Sequence, residues 1–274
     1  MTINRLKIGL GSFSVFLLAL ILLLSSFLTG SSGLNKARNY YVPPYAYLDI
    51  ISGNFRNLAA QMFLIRGIMS IAEKDPLSFD YILDNLRLSA RLDPKLSYAY
   101  IVGGIIAPRD NQELRRATIF MKEGMENAPD DWRIPFWVGF NYLQLGDNLK
   151  AAEFYRRAAA LPGAPNYVKS MTARYYYEAD KPDMALVYLE SIRNSAKDGR
   201  TLQNIDLKIR WLQNIVFLEE KVKLFHQDLG RWPDELEDLA KAGLIDKIPP
   251  DPFGKGYELD KKRDKYPGRV KSRF

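Results

Sequence analysis

At 274 residues, with 47% hydrophobic and 26% charged side chains, the chain can bury a sizeable core in one or two domains, which excludes global disorder. Cysteine is absent, which excludes disulfides, thiolate nucleophiles and cysteine-held zinc or iron–sulfur centres. The net charge of +7 is concentrated between Lys255 and Phe274, where eight Lys/Arg stand against three acids, so no basic stripe marks a nucleic-acid interface.

From Ile8 to Leu28 the chain carries no charged residue and is dominated by Leu, Ile, Phe and Val. At about 1.5 Å of rise per residue this run can cross a hydrocarbon layer of roughly 30 Å. It is longer than the apolar part of a cleavable signal peptide, so residues 1–33 are expected to form an uncleaved membrane anchor. Arg5 and Lys7 before the run are balanced by Lys36 and Arg38 after it. Orientation therefore rests on the short leading segment, which favours an N-terminus in the cytoplasm and a soluble part outside the inner membrane.

Residues 34–53 form a connector in which Tyr40, Tyr41, Pro43, Pro44 and Tyr45 suit a membrane interface or the flank of the first helix. Asn54 is expected to cap a helix running to about Lys74, stopped by Asp75-Pro76. Within it, Leu58 to Met69 is interrupted by Gln61 and Arg66, and so reads as a buried helix rather than a second span.

Ala117, Ala151 and Ala185 recur every 34 residues. In the same register Gly139 matches Ala173, Tyr142 matches Tyr176, Tyr155 matches Leu189 and Gly124 matches Ala90, with Pro94 and Pro129 at equivalent helix ends. The unit from Trp132 to Pro165 holds Val138-Gly139, Tyr142, Gly146-Asp147, Ala151, Tyr155, Ala158 and a closing Pro162. This pattern resembles the tetratricopeptide repeat family, a 34-residue helix-turn-helix with small and aromatic residues at fixed positions. Three units span Tyr98 to Lys197, with a divergent pair before them, giving a repeat region over residues 54–200. Pro135 departs from the family's preferred Trp, and Pro108 should leave the first helix of its unit short or bent.

Small residues at 139 and 151 would let the paired helices approach, with Tyr142 and Tyr155 filling the grooves beside them. Asp147 is placed to cap the following helix. The resemblance implies an all-α fold in which stacked hairpins make a solenoid, the first helix of each hairpin lining the concave face. Carried over position by position, that face would offer Arg133, Phe136, Phe140 and Gln144, then Tyr167, Ser170, Arg174 and Tyr177. The unit from Tyr98 would add Val102, Ile106 and Arg109. Aromatics with a few arginines suit a protein-binding surface.

Thr201 to Leu229 keeps helical spacing through Ile205, Ile209, Leu212 and Phe225 and meets a stop at Gly230, so residues 201–230 are expected to cap the repeats. Residues 231–260 contain Arg231-Trp232-Pro233, a short helix, Pro250-Asp251-Pro252-Phe253-Gly254 and Tyr257-Glu258-Leu259. That run is similar to the tail of the type II secretion pseudopilins, a helix, a turn and a tyrosine-bearing strand. Asp251 is expected to serve the turn rather than a calcium ion. Residues 261–274 read as a solvated basic end, with anionic lipid or an acidic partner as the other reading.

His226, the single histidine, has no serine or cysteine partner nearby and reads as a packing or surface residue. Glu219-Glu220 and Asp234-Glu235 point apart along a helix and suit solvent or a helix start. No catalytic residue, cofactor or metal is expected. The chain reads as an anchored scaffold holding a protein partner, a component of a secretion, pilus or envelope-building complex. The alternatives are a self-associating structural envelope protein or a non-catalytic subunit of a membrane enzyme or transporter.

Overall fold

The computed structural model describes residues 41–71, 79–105, 108–194, 196, 198–260 and 268–272. The expected anchor over residues 8–28 and the residues Arg5, Lys7, Ile106 and Lys197 lie outside them. The described elements belong to the compact unit Val42–Phe274.

The unit is mostly helical, as expected. Helix α1 (Tyr45–Ser52) passes through a 3-10 turn, Gly53–Phe55, into α2 (Arg56–Ile71), which pairs with α3 (Phe79–Leu92). Three further hairpins follow: α4 (Ser97–Ile105) with α5 (Asn111–Asn127), α6 (Arg133–Gln144) with α7 (Asn148–Ala160), and α8 (Asn166–Glu178) with α9 (Pro182–Arg193). Each hairpin also packs on the next, α3 on α4, α5 on α6 and α7 on α8, giving a repeat-like architecture. Residues 106–107, between α4 and the Pro108 expected to shorten or bend it, lie outside the described residues.

The 34-residue spacing falls where helices meet. Ala117, Ala151 and Ala185 are fully buried. A Cβ on Gly139 would sit 3.1 Å from the Ala151 carbonyl and 3.1 Å from the Tyr155 ring, so the small residues do set the closest approach of α6 and α7. Asp147 caps α7 by accepting the Lys150 N–H at 3.0 Å, and Asp110 caps α5 by accepting those of Gln112 and Glu113, each at 2.8 Å.

Between hairpins, the fully buried Asn141 donates from Nδ2 to the Gly104 carbonyl at 2.8 Å and to Thr118 Oγ1 at 3.1 Å. Asn141→Ala is expected to cost about 2 kcal/mol, because it strands a buried carbonyl without its donor. A thermal melt followed by circular dichroism checks this.

Helix α10 (Gly199–Leu229) is the long helix expected, ended by Gly230 at φ 67. It serves two cores. Its first half, with Ile205, Ile209 and Leu212, packs on Ala173, Tyr176, Tyr188 and Leu189 of the last hairpin. Its second half, with Ile215, Leu218, Val222 and Phe225, packs on Leu236, Leu239, Ile245, Tyr257, Leu259 and Val270. The C-terminal module comprises α11 (Glu237–Lys241), β1 (Tyr257–Leu259) and β2 (Val270–Ser272). The two strands pair antiparallel, Glu258 opposite Lys271. Asp251 closes the proline-rich turn, accepting the N–H of Phe253 at 2.9 Å and of Lys255 at 3.1 Å.

Three expectations are corrected. The α2 segment from Leu58 to Met69 is not a buried helix. Its small face, Ala60, Gly67 and Ser70, is buried, while Leu58, Met62, Ile65 and Met69 are exposed. A Cβ on Gly67 would come within 2.9 Å of Leu86, so only the small face can approach α3 this closely. The basic end is not wholly solvated either, since Arg269 is buried and Val270 to Ser272 forms β2. Finally, Glu219 is only partly exposed, and its Oε1 accepts the Val270 N–H at 3.1 Å.

Burial pushes the Glu219 carboxyl above the ordinary glutamate range, against the pull of the Val270 N–H and Arg269. A carboxyl raised in the folded state binds its proton more readily there than in the unfolded chain, so stability rises as pH falls through the raised value. Glu219→Gln keeps an acceptor for Val270 and removes the partly buried charge. It is expected to exceed the parent in stability at neutral pH, with the gap closing below the ordinary glutamate value. Urea midpoints at about pH 7 and about pH 4 measure that gap.

Candidate functional site

The eight residues assigned to the concave face divide into three groups. In the first, aromatic packing from α6 dominates. Phe136 lies edge-on to Trp132, Trp137 and Tyr167, with centroid distances of 5.9, 5.2 and 5.9 Å, and tilted against buried Tyr155 at 5.4 Å. Phe140 packs on Trp137 at 5.4 Å. The sequence pattern did not single out Trp137, which lies one position beyond Phe136 and joins the two phenylalanines. Arg133 is already committed: Nη2 and Nε donate to the Asp131 carboxylate at 2.6 and 2.8 Å, and the guanidinium carbon lies 4.9 Å from the Tyr98 ring centroid. It holds the Asp131 carboxyl below the ordinary aspartate range. Gln144 is exposed at the far end of α6.

In the second group, Tyr167 and Ser170 line a cleft of about 500 Å³ bounded by the first turns of α8, the last turns of α9 and the start of α10. Leu189, Ile192 and Ile205 form its apolar floor. Lys169, Arg200 and Lys208 bring three positive charges against Asp198. Asp198 is itself occupied, accepting the Thr201 N–H at 2.8 Å as the α10 cap. Lys208 is half-buried, and burial alone lowers its ammonium pKa below the usual lysine range. The carboxylate that would offset this desolvation is not supplied by the described residues. A cationic side chain beside apolar walls and an exposed tyrosine can take an anionic or amide-bearing side chain from a bound segment. Lys208 was missed, although its place one turn beyond Ile205 and beside Ile209 put it on the margin of the α10 apolar face.

In the third group the expected exposure holds for Arg174 and fails for Tyr177. Arg174 is exposed, its guanidinium 5.7 Å from the Tyr175 ring centroid. Tyr177, three residues on, is covered by the C-terminal module. Its ring packs on Trp211 at 4.8 Å and under the Arg269 guanidinium at 4.8 Å, and its carbonyl accepts Arg269 Nη2 at 2.7 Å. Arg269 also pairs with Asp180, and Trp211 Nε1 donates to Ser272 Oγ at 2.7 Å. Burial pushes the Tyr177 phenol up to about 12. Tyr177 belongs to an internal joint, not to a free groove.

His226 lies flat against Trp232, the ring centroids 4.0 Å apart at 5°. That is the packing place expected for it. Among the described residues no group of His, Asp and Glu could hold a metal ion. No family model matches the chain, and no curated protein matches it in sequence.

Proposed function

We propose that the protein is a tetratricopeptide-like scaffold, held at the cytoplasmic membrane by residues 8–28, whose stacked hairpins form a solenoid that binds a segment of another protein. The observation that carries this reading is the cleft between α8, α9 and α10, where exposed Tyr167 and half-buried Lys208 stand over an apolar floor. The aromatic run of Trp137, Phe136 and Phe140 adjoins it through Tyr167. Tyrosine, tryptophan and positively charged groups around a desolvated centre suit protein recognition, and the excess of cations suits an acidic segment. Anchoring at the same membrane as the partner raises effective concentration, so a modest cleft affinity is enough.

A partner within a secretion, pilus or envelope-building complex is supported by the tail's likeness to pseudopilins. The short α11, the Asp251 turn and the tyrosine-bearing β1 are the parts that carry this analogy. The soluble part is then extracytoplasmic.

Cross-linking in native membranes followed by mass spectrometry tests the reading, comparing the parent with Tyr167→Ala/Lys208→Ala. A specific partner recovered with the parent and lost with the double variant, at unchanged circular dichroism, supports it. Recovery of the protein alone, unaffected by the substitutions, favours self-association instead. Tyr177→Ala is a poor probe, because it would damage the joint with the C-terminal module.

A further inference from the structure

More than half of the exposed large hydrophobic side chains among the described residues fall between Tyr41 and Met69, on α1, α2 and the segments beside them. Leu58, Met62, Ile65 and Met69 recur at helical spacing and form one stripe along α2; Ile50 and Ile51 of α1 and Phe55 of the 3-10 turn between the two helices are exposed as well. Their exposure runs from 50% at Met62 to 81% at Ile50. The opposite face of α2 is already spent on α3: Gly67 abuts Leu86, and the Ala60 carbonyl accepts the Ser89 hydroxyl at 2.7 Å. This stripe therefore cannot be turned inward without separating the first hairpin. Soluble proteins seldom leave so continuous a large-residue face bare.

We infer that this face lies on a lipid surface, with α1 and α2 resting in the interfacial zone of the bilayer and their bulky side chains entering it. This inference rests on the anchor proposed above. Three observations favour lipid over protein as the occupant. First, residues 42–71 contain just three charged side chains, Asp49, Arg56 and Arg66. Asp49 pairs with Arg56 at 3.1 Å, and one acid against two arginines leaves the segment a net charge of only +1. Second, exposed Tyr47 stands in the first turn of α1, where an amphipathic ring suits a headgroup boundary. Third, sixteen residues, 29–44, separate the uncharged run over residues 8–28 from α1. A chain of that length spans at most roughly 55 Å when fully extended and roughly 20–25 Å as a coil. If the run crosses the bilayer, α1 is kept within reach of its surface. A second copy would need no such proximity and no tyrosine margin.

The absence of cysteine makes single labelling sites available without a background. The full chain carrying Met62→Cys, Ile65→Cys or Met69→Cys is labelled with an environment-sensitive nitrobenzoxadiazole dye. It is then reconstituted in phosphatidylcholine–phosphatidylglycerol vesicles containing a lipid spin-labelled near the headgroup. Glu126→Cys in α5 and Glu190→Cys in α9, both exposed, are the controls. The expected result is several-fold stronger quenching at all three stripe positions than at either control. Quenching no stronger than the controls overturns the inference. So does a blue-shifted emission that the lipid does not quench. That outcome assigns the stripe to protein cover, by a second copy if it fades on dilution and by the chain's own N-terminal segment if it does not. Alkaline carbonate extraction of the same samples separates the two readings. Release of the protein despite quenching at neutral pH removes the anchor and keeps the lipid-facing stripe. Retention without quenching keeps the anchor and removes the stripe.

Discussion

Arg269→Met is expected to lower the melting temperature by roughly 6–12 °C, the equivalent of about 3 kcal/mol. The guanidinium is 7% exposed and serves three groups at once: the Asp180 carboxylate, the Tyr177 carbonyl and the Tyr177 ring. Removing it takes the donor from the Tyr177 carbonyl and the counter-charge from Asp180 in a covered site, which costs more than the pair's net attraction. Asp180 retains some contact with solvent at 21% exposure, which places the loss at the lower end of the range for buried pairs. The repeat register makes the partner informative. Asp180 occupies the turn position held by Gly146 one unit earlier, and both have left-handed backbones, φ 60 and φ 76. A non-glycine residue accepts that conformation at some strain, least for Asp and Asn. Glycine is thus replaced where its replacement carries the anion for Arg269. Asp180→Asn keeps the turn and removes the charge, so Arg269→Met should cost markedly less in that background. An undiminished cost there would show that the ion pair is not the source.

Gly124→Ala is expected to destabilise by about 1–3 kcal/mol, although alanine favours a helix over glycine by about 1 kcal/mol. A Cβ at this position would lie 2.5 Å from Cγ and 2.9 Å from Cβ of Tyr100. Tyr100 is 2% exposed and packs on Phe120 at 5.0 Å, so its ring has no free space to enter. The contact involves the root of the side chain, which a rotamer change cannot relieve. Gly139→Ala meets its neighbours at 3.1 Å and should cost less. Tyr100→Ala removes Cγ, the nearest of these atoms, so Gly124→Ala should cost less in a Tyr100→Ala background than in the parent. Urea midpoints for the two glycine variants, Tyr100→Ala and the double variant test that order.

The repeats could be read from sequence because their determinants are local. Ala151, Gly139 and Asp147 act on residues within one hairpin, and their size or capping chemistry is enough to place them. Contacts across long separations left weaker traces. Tyr177 is covered by a residue 92 positions away, and nothing in its own repeat distinguishes it from a groove tyrosine. In Arg269-Val270-Lys271-Ser272 the alternation of a strand is only a few residues long and is masked by the basic composition around it. On α2 the helical period of the apolar residues was plain, but periodicity identifies a face without saying what covers it. Ala60, Gly67 and Ser70 on the other side held the missing information, since a face of small residues permits close packing.

The Arg269–Asp180 joint also fixes an order of events during synthesis. Its members stand 89 residues apart, whereas the hairpins close through neighbours in sequence. At usual elongation rates the chain needs roughly 5–20 s to progress from Asp180 to Arg269. Once Arg193 has been added, and for the rest of that interval, the last hairpin can be complete while Tyr177 is still uncovered. The array can therefore assemble progressively from its first hairpin as the chain is made, but is sealed only when β2 arrives. A nascent chain stalled between the two residues would present an open aromatic edge, the kind of surface on which chaperones and proteases act.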